Sequence, residues 1–107
     1  MHTVAIRKDV HQRDPSVAGK LYAAFCESKR LARERMRHLG ALRYMLPWMQ
    51  TELDEIDEVF GGDPWPYGVE ANRATLETLV QLLAEQSIIK APVPVDELFV
   101  PVRGDLT

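Results

Sequence analysis

The segment MHTVAIRKDV, residues 1 to 10, decides how the chain is read. Its centre, TVAI at residues 3 to 6, is a short β-branched apolar run closed off by the polar RKDVHQRDP. That pattern predicts a buried strand over about residues 3–7. No other segment carries a comparable strand signal. A lone strand leaves its backbone N–H and C=O groups unpaired. The expectation is therefore that its partners lie in another copy of the chain, giving a homo-oligomer through the N-terminal strand, or in sequence beyond these 107 residues.

Working outward, the rest of the chain predicts mainly α structure: about three helices and a Pro-rich tail, in a single segment over 1–107. Asp14-Pro15 is a helix start, with a capping carboxylate ahead of a proline suited to the first turn. Val17, Leu21, Ala24, Phe25, Ser28, Leu31 and Ala32 then recur at helical spacing and predict a buried stripe. This helix should cover about 15–37 and stop near Gly40. A second helix is predicted over about 41–60, with Leu42, Met45, Leu46, Met49, Leu53, Ile56 and Phe60 on its apolar side. Pro47 either kinks it, or ends a short helix near Met45 and opens the next. Gly61-Gly62 ends it. A third helix over about 69–87 buries Val69, Leu76, Leu79, Val80 and Leu83. The tail 88–107 is irregular, because prolines at 92, 94 and 101 break regular structure, with VDELF able to make one helical turn.

The 107 residues suffice for one domain, and the net charge of −3 lacks the basic excess of a nucleic-acid binder. A single cysteine, Cys26, allows no internal disulfide, and its place near the apolar side of the first helix suggests a buried, inert thiol. The N-terminus does not read as a secretory signal, and no window approaches the ~18 apolar residues of a membrane span. These readings point to a cytoplasmic protein with no membrane partner. His2, His11 and His38 have no metal-ligand spacing, so no metal site is expected within the chain, and no cofactor is indicated. His2 stands apart because it heads the TVAI run, where an end-of-strand residue can face a cleft.

The basic residues from Lys29 to Arg37 are read as a helix face set against the acidic run from Glu52 to Glu58, although each exposed pair contributes only ~0–1 kcal/mol. The connector GGDPWPYGVEANR, residues 61 to 73, is unusual for its aromatics. One reading is a stiff link in which Trp65 and Tyr67 cap the helices. The other is a wall of a ligand site, with aromatic rings for a planar ligand, and Asn72 and Arg73 at the next helix start for its polar groups. Local sequence leaves these two readings level.

The order HTVAIRKDV, a Pro-headed helix ending in GALRYMLPW, then DPWPYGVEANRATLET and DELFVP resembles the C-terminal part of the 4,5-dihydroxyphthalate decarboxylases. The resemblance covers nearly the whole chain, with ALRYMLPW and WPYGVEANR as its specific parts. It implies a fragment of a two-lobed α/β fold of the type II periplasmic-binding-protein kind, with TVAI inserted in a sheet built by earlier sequence and Met1 an internal methionine used as a start. It also implies a small aromatic carboxylate as substrate in the parent protein, and decarboxylation to protocatechuate within aromatic catabolism. On that analogy His2 is the candidate catalytic acid, Trp65, Tyr67 and Asn72 line the substrate, and Arg73 anchors a carboxylate. The isolated chain should be inactive. Two further expectations stand beside this one: a segment of a non-catalytic solute-binding protein of the ABC-transporter type, and a stand-alone helical dimerisation module.

Overall fold

The computed structural model describes residues 2–40 and 44–102. The chain runs through α1 (Lys8–Arg13), α2 (Val17–Arg37), α3 (Met49–Phe60), a 3-10 turn at Glu70–Asn72, α4 (Arg73–Glu85) and α5 (Val95–Leu98). There is no strand among the described residues. This overturns the strand over 3–7 and, with it, the support for a fragment of a type II periplasmic-binding-protein α/β fold. The physical reason is visible locally. TVAI has no neighbouring strand to pair with among the described residues, and Thr3, Val4 and Ala5 remain exposed, with Ile6 only half covered. A β-branched run expresses its strand preference only against a pleated neighbour.

The second helix is also shorter than 41–60. Residues 41–43, Leu42 among them, lie outside the described residues. Tyr44 to Leu46 are non-helical, Met45 is 94% exposed, and α3 begins only after Pro47. Pro47 lies in the turn ahead of α3, closed by the Met49 N–H donating to the Leu46 carbonyl at 3.2 Å, and its ring pushes Leu46 out of the helical region. Gly61 closes α3 at φ 64°, a left-handed conformation that glycine adopts without a Cβ clash. The third helix starts at Arg73 rather than 69, after the 3-10 turn, and the tail makes its single turn, α5, at the VDEL sequence. Helix α1 carried no periodic signal in the sequence.

Burial is sparse. Among the described residues only Ala18, Leu76, Val80 and Val95 are buried. Leu76 and Val80 sit one turn apart on α4 and meet Val95 of α5, with Val69, Ile89 and Phe99 packed around them. The expected stripe on α2 is turned largely outward. Leu21, Ala24, Phe25, Ser28 and Ala32 are exposed and only Val17 and Leu31 of that stripe are half-covered, while Tyr22, Cys26, Lys29, Arg33 and Arg37 are half-covered on another side. Leu79 of the expected α4 stripe is exposed as well. The chain has a radius of gyration of 17.6 Å, where a compact domain of this length has about 13 Å.

Just past the end of α4 lies Ser87, a non-glycine residue at φ 58°. The turn is closed by the Ile88 N–H donating to the Leu83 carbonyl at 2.9 Å. The left-handed region costs an L-residue on the order of 1 kcal/mol. Ser87→Gly is therefore expected to raise stability by about 1 kcal/mol in chemical denaturation. Val95→Ala, which hollows the centre of the small core, should lower it by about 1–3 kcal/mol on the same assay.

Candidate functional site

The connector 61–72 is held by side chains of α2 and by its own Asn72, just ahead of α4. On α2, Lys29, Arg33 and Arg37 are spaced by four and so form one stripe. Lys29 Nζ pairs with Asp63 Oδ2 at 2.6 Å and donates to the Trp65 carbonyl at 3.0 Å. The same ammonium lies 4.0 Å from the centre of the Tyr67 ring, a cation–π contact. Arg33 donates to the Gly62 carbonyl, and Arg37 pairs with Asp57 of α3. Asp57 Oδ1 is enclosed and accepts no hydrogen bond among the described residues, with the Arg33 guanidinium 3.8 Å away. The expected pairing of the basic face with α3 is thus present at Asp57. The remaining bonds go to the connector, and Arg30 pairs within its own helix with Glu27 and Glu34.

Asp63 also accepts from the Trp65 N–H at 3.1 Å. From the other side Asn72 donates through Nδ2 to the carbonyls of Pro66 and Gly68, both at 2.8 Å. Gly68, at φ 99°, completes the turn close to the Tyr22 hydroxyl. Burial, with Cys26 beside it, pushes the Tyr22 phenol up. Trp65 itself stays 72% exposed. Its ring therefore projects from a backbone fixed at Gly62, Asp63, Trp65, Pro66 and Gly68.

Arg73 faces a different environment. Its guanidinium forks onto Asp96 of α5, with Nη2 to Oδ1 at 2.8 Å and Nη1 to Oδ2 at 3.4 Å. It also holds Glu70 at 2.5 Å, and Glu77 lies 3.7 Å away. Hydrogen bonds to Glu70 and then Asp96 raise the Arg73 pKa further. Both carboxyls in turn lie below their usual range, chiefly through their bonds to Arg73. Beside this cluster is an open cleft of about 360 Å³ floored by Val80, Pro92, Pro94 and Val95. A second cleft of similar volume lies at the start of α2 near Lys20, Tyr22 and Pro101.

The sequence-named residues are therefore only partly gathered. Trp65, Tyr67 and Asn72 share the connector, and Arg73 borders a cleft. His2 is exposed in the irregular N-terminal segment, and neither cleft is lined by His2, Trp65 or Tyr67. Among the described residues no group of three metal-ligating side chains is assembled, and no helix is long and apolar enough to cross a membrane. Sequence reasoning missed Lys29 and Asp63 as the residues that seat the aromatic loop. The signal available for Lys29 was its four-residue spacing to Arg33 and Arg37.

No protein-family model matches the chain, and no solved structure matches it. Among curated proteins it is similar to a 4,5-dihydroxyphthalate decarboxylase of Comamonas testosteroni, with 28% identity over 101 residues. The match takes in 94% of this chain and 31% of that protein, so the chain spans about a third of the relative's length. This is a distant, partial relationship.

The clasp on the connector should respond to acid. Burial works against ionisation of Asp63. The hydrogen bonds from Lys29 and the Trp65 N–H, with the charges of Lys29 and Arg33, outweigh it and hold the carboxyl below its usual range. A depressed folded pKa gives stabilisation that is present at neutral pH and lost as pH falls below about 4. The Tyr67 ring and Trp65 indole NMR signals are expected to shift together in that acid range. Asp63→Asn should abolish that transition and displace both signals already at pH 7.

Proposed function

We propose that the chain is a segment of a non-oxidative decarboxylase acting on a small aromatic carboxylate of the 4,5-dihydroxyphthalate type, in aromatic catabolism. The observation that carries this reading is the similarity to the Comamonas testosteroni enzyme, which extends over 94% of the chain. The reaction needs a cation to hold a carboxylate and an acid to deliver a proton. One carboxylate leaves as carbon dioxide, its bonding electron pair passes to the ring carbon, and that carbon takes up the proton to give protocatechuate. Within this chain the reading rests on Arg73, which borders a cleft that His2, Trp65 and Tyr67 do not line, while Asn72 fixes the loop that carries the two aromatics. Arg73 takes the substrate carboxylate in the fork that Asp96 now fills, so binding proceeds by exchange of one carboxylate for another.

The bracing of the connector supports a positioning role, since a ring that must meet a planar substrate works best on backbone that does not move. The 107 residues alone should be inactive, because they correspond to 31% of the decarboxylase they resemble. The test is a chimera in which this segment replaces the matching third of the Comamonas testosteroni enzyme. Product formation from 4,5-dihydroxyphthalate is expected, with at least a tenfold fall in kcat/KM for Arg73→Ala in the same background. A folded chimera that binds the substrate without releasing carbon dioxide would remove the decarboxylase reading.

A further inference from the structure

Helix α2 runs for 21 residues, yet Ala18 is its only buried residue. A helix draws most of its stability from an apolar face packed against something else. Such a face is present. Leu21, Phe25, Ser28 and Ala32 follow one another at spacings of four, three and four, with Ala24 beside them, and so form one stripe about 17 Å long. All five are exposed, Leu21 at 36% and Phe25 at 44%. The stripe lies more than a quarter turn round the helix from Arg33, whose guanidinium faces Gly62 and Asp57. Charge leaves it free to meet an apolar surface. The nearby Glu27 and Glu34 are both paired with Arg30, and Lys20 is paired with Asp14. Arg35, three residues beyond Ala32, continues the stripe and makes no ion pair among the described residues.

We infer that this stripe is the seat of the part of a decarboxylase-type polypeptide that lies beyond these residues, through an apolar element with an acidic side chain opposite Arg35. The match that takes in 94% of this chain covers 31% of the Comamonas testosteroni enzyme, so about two-thirds of such a protein is left to pack against it. The inference rests on that kinship and not on the reaction. A second copy would present the same stripe, which carries no carboxylate to meet Arg35. Within one polypeptide the contact also forms without the loss of translational freedom that a separate partner costs.

The test compares the 107-residue chain with the chimera in urea unfolding. Leu21→Gln and Phe25→Gln keep a good helix former at each position. In the chain alone, where both side chains already meet water, each should leave the midpoint unchanged. In the chimera each should lower it by at least about 0.5 M, or prevent folding. Phe25→Leu, which keeps an apolar side chain, should recover at least half of the loss. A chimera indifferent to both glutamine substitutions would overturn the inference, and so would an unsubstituted chimera that does not fold. A dimer of the isolated chain that these substitutions dissociate would also overturn it, assigning the stripe to a second copy. The readout is stability, so a chimera that folds through this contact yet releases no carbon dioxide removes the decarboxylase reading and leaves this one standing.

Discussion

The placement of α3 and the aromatic connector depends on one ionic contact surface, the stripe Lys29–Arg33–Arg37 against Asp57, Gly62, Asp63 and Trp65. Close backbone packing joins α1 to α2 and α4 to its 3-10 turn and α5, whereas α2 reaches α3 and the loop through long cationic side chains. Such contacts are directional. They specify where the Gly62 and Trp65 carbonyls sit in a way that apolar contact would not, and they position Tyr67 over an ammonium. They are also individually weak and screened by salt. The loop is thus held by the number of these bonds and not by the strength of any one of them.

The helical content was legible because periodic apolar spacing, Asp14-Pro15 and Gly61-Gly62 are local signals with local causes. The end of α2 at Arg37 and the single turn at Val95–Leu98 follow from the same chemistry. TVAI misled for the opposite reason: a strand is a relation between segments, and no second segment here supplies the other half. The stripe on α2 misled similarly. Leu21 and Phe25 do repeat at helical spacing, but periodicity identifies an apolar face without saying what covers it, and the neighbouring elements approach the other side. At the candidate site the connector's aromatics stood out in the sequence. The binding of Arg73 to Asp96, 23 residues away, could not be read from either residue alone.

These features shape the functional reading. Arg73 is not a spare cation waiting for an anion, since it already neutralises acidic groups from the 3-10 turn and α5. A ligand carboxylate there competes with a neighbour of the same chemistry, and what it gains is the difference between the two. Trp65, by contrast, has a settled backbone and an open face. The connector reads both as a link between helices and as a presentation device.

The sparse burial among the described residues has one more consequence, for how the chain responds to heat. The heat capacity of unfolding comes mainly from apolar surface newly exposed to water. A chain that already leaves Phe25, Phe60, Trp65 and Leu79 in solvent has little left to expose. A small heat capacity of unfolding makes its stability curve correspondingly shallow. Covering those side chains would deepen the curve, because order in this chain is limited by its uncovered surface more than by its helices.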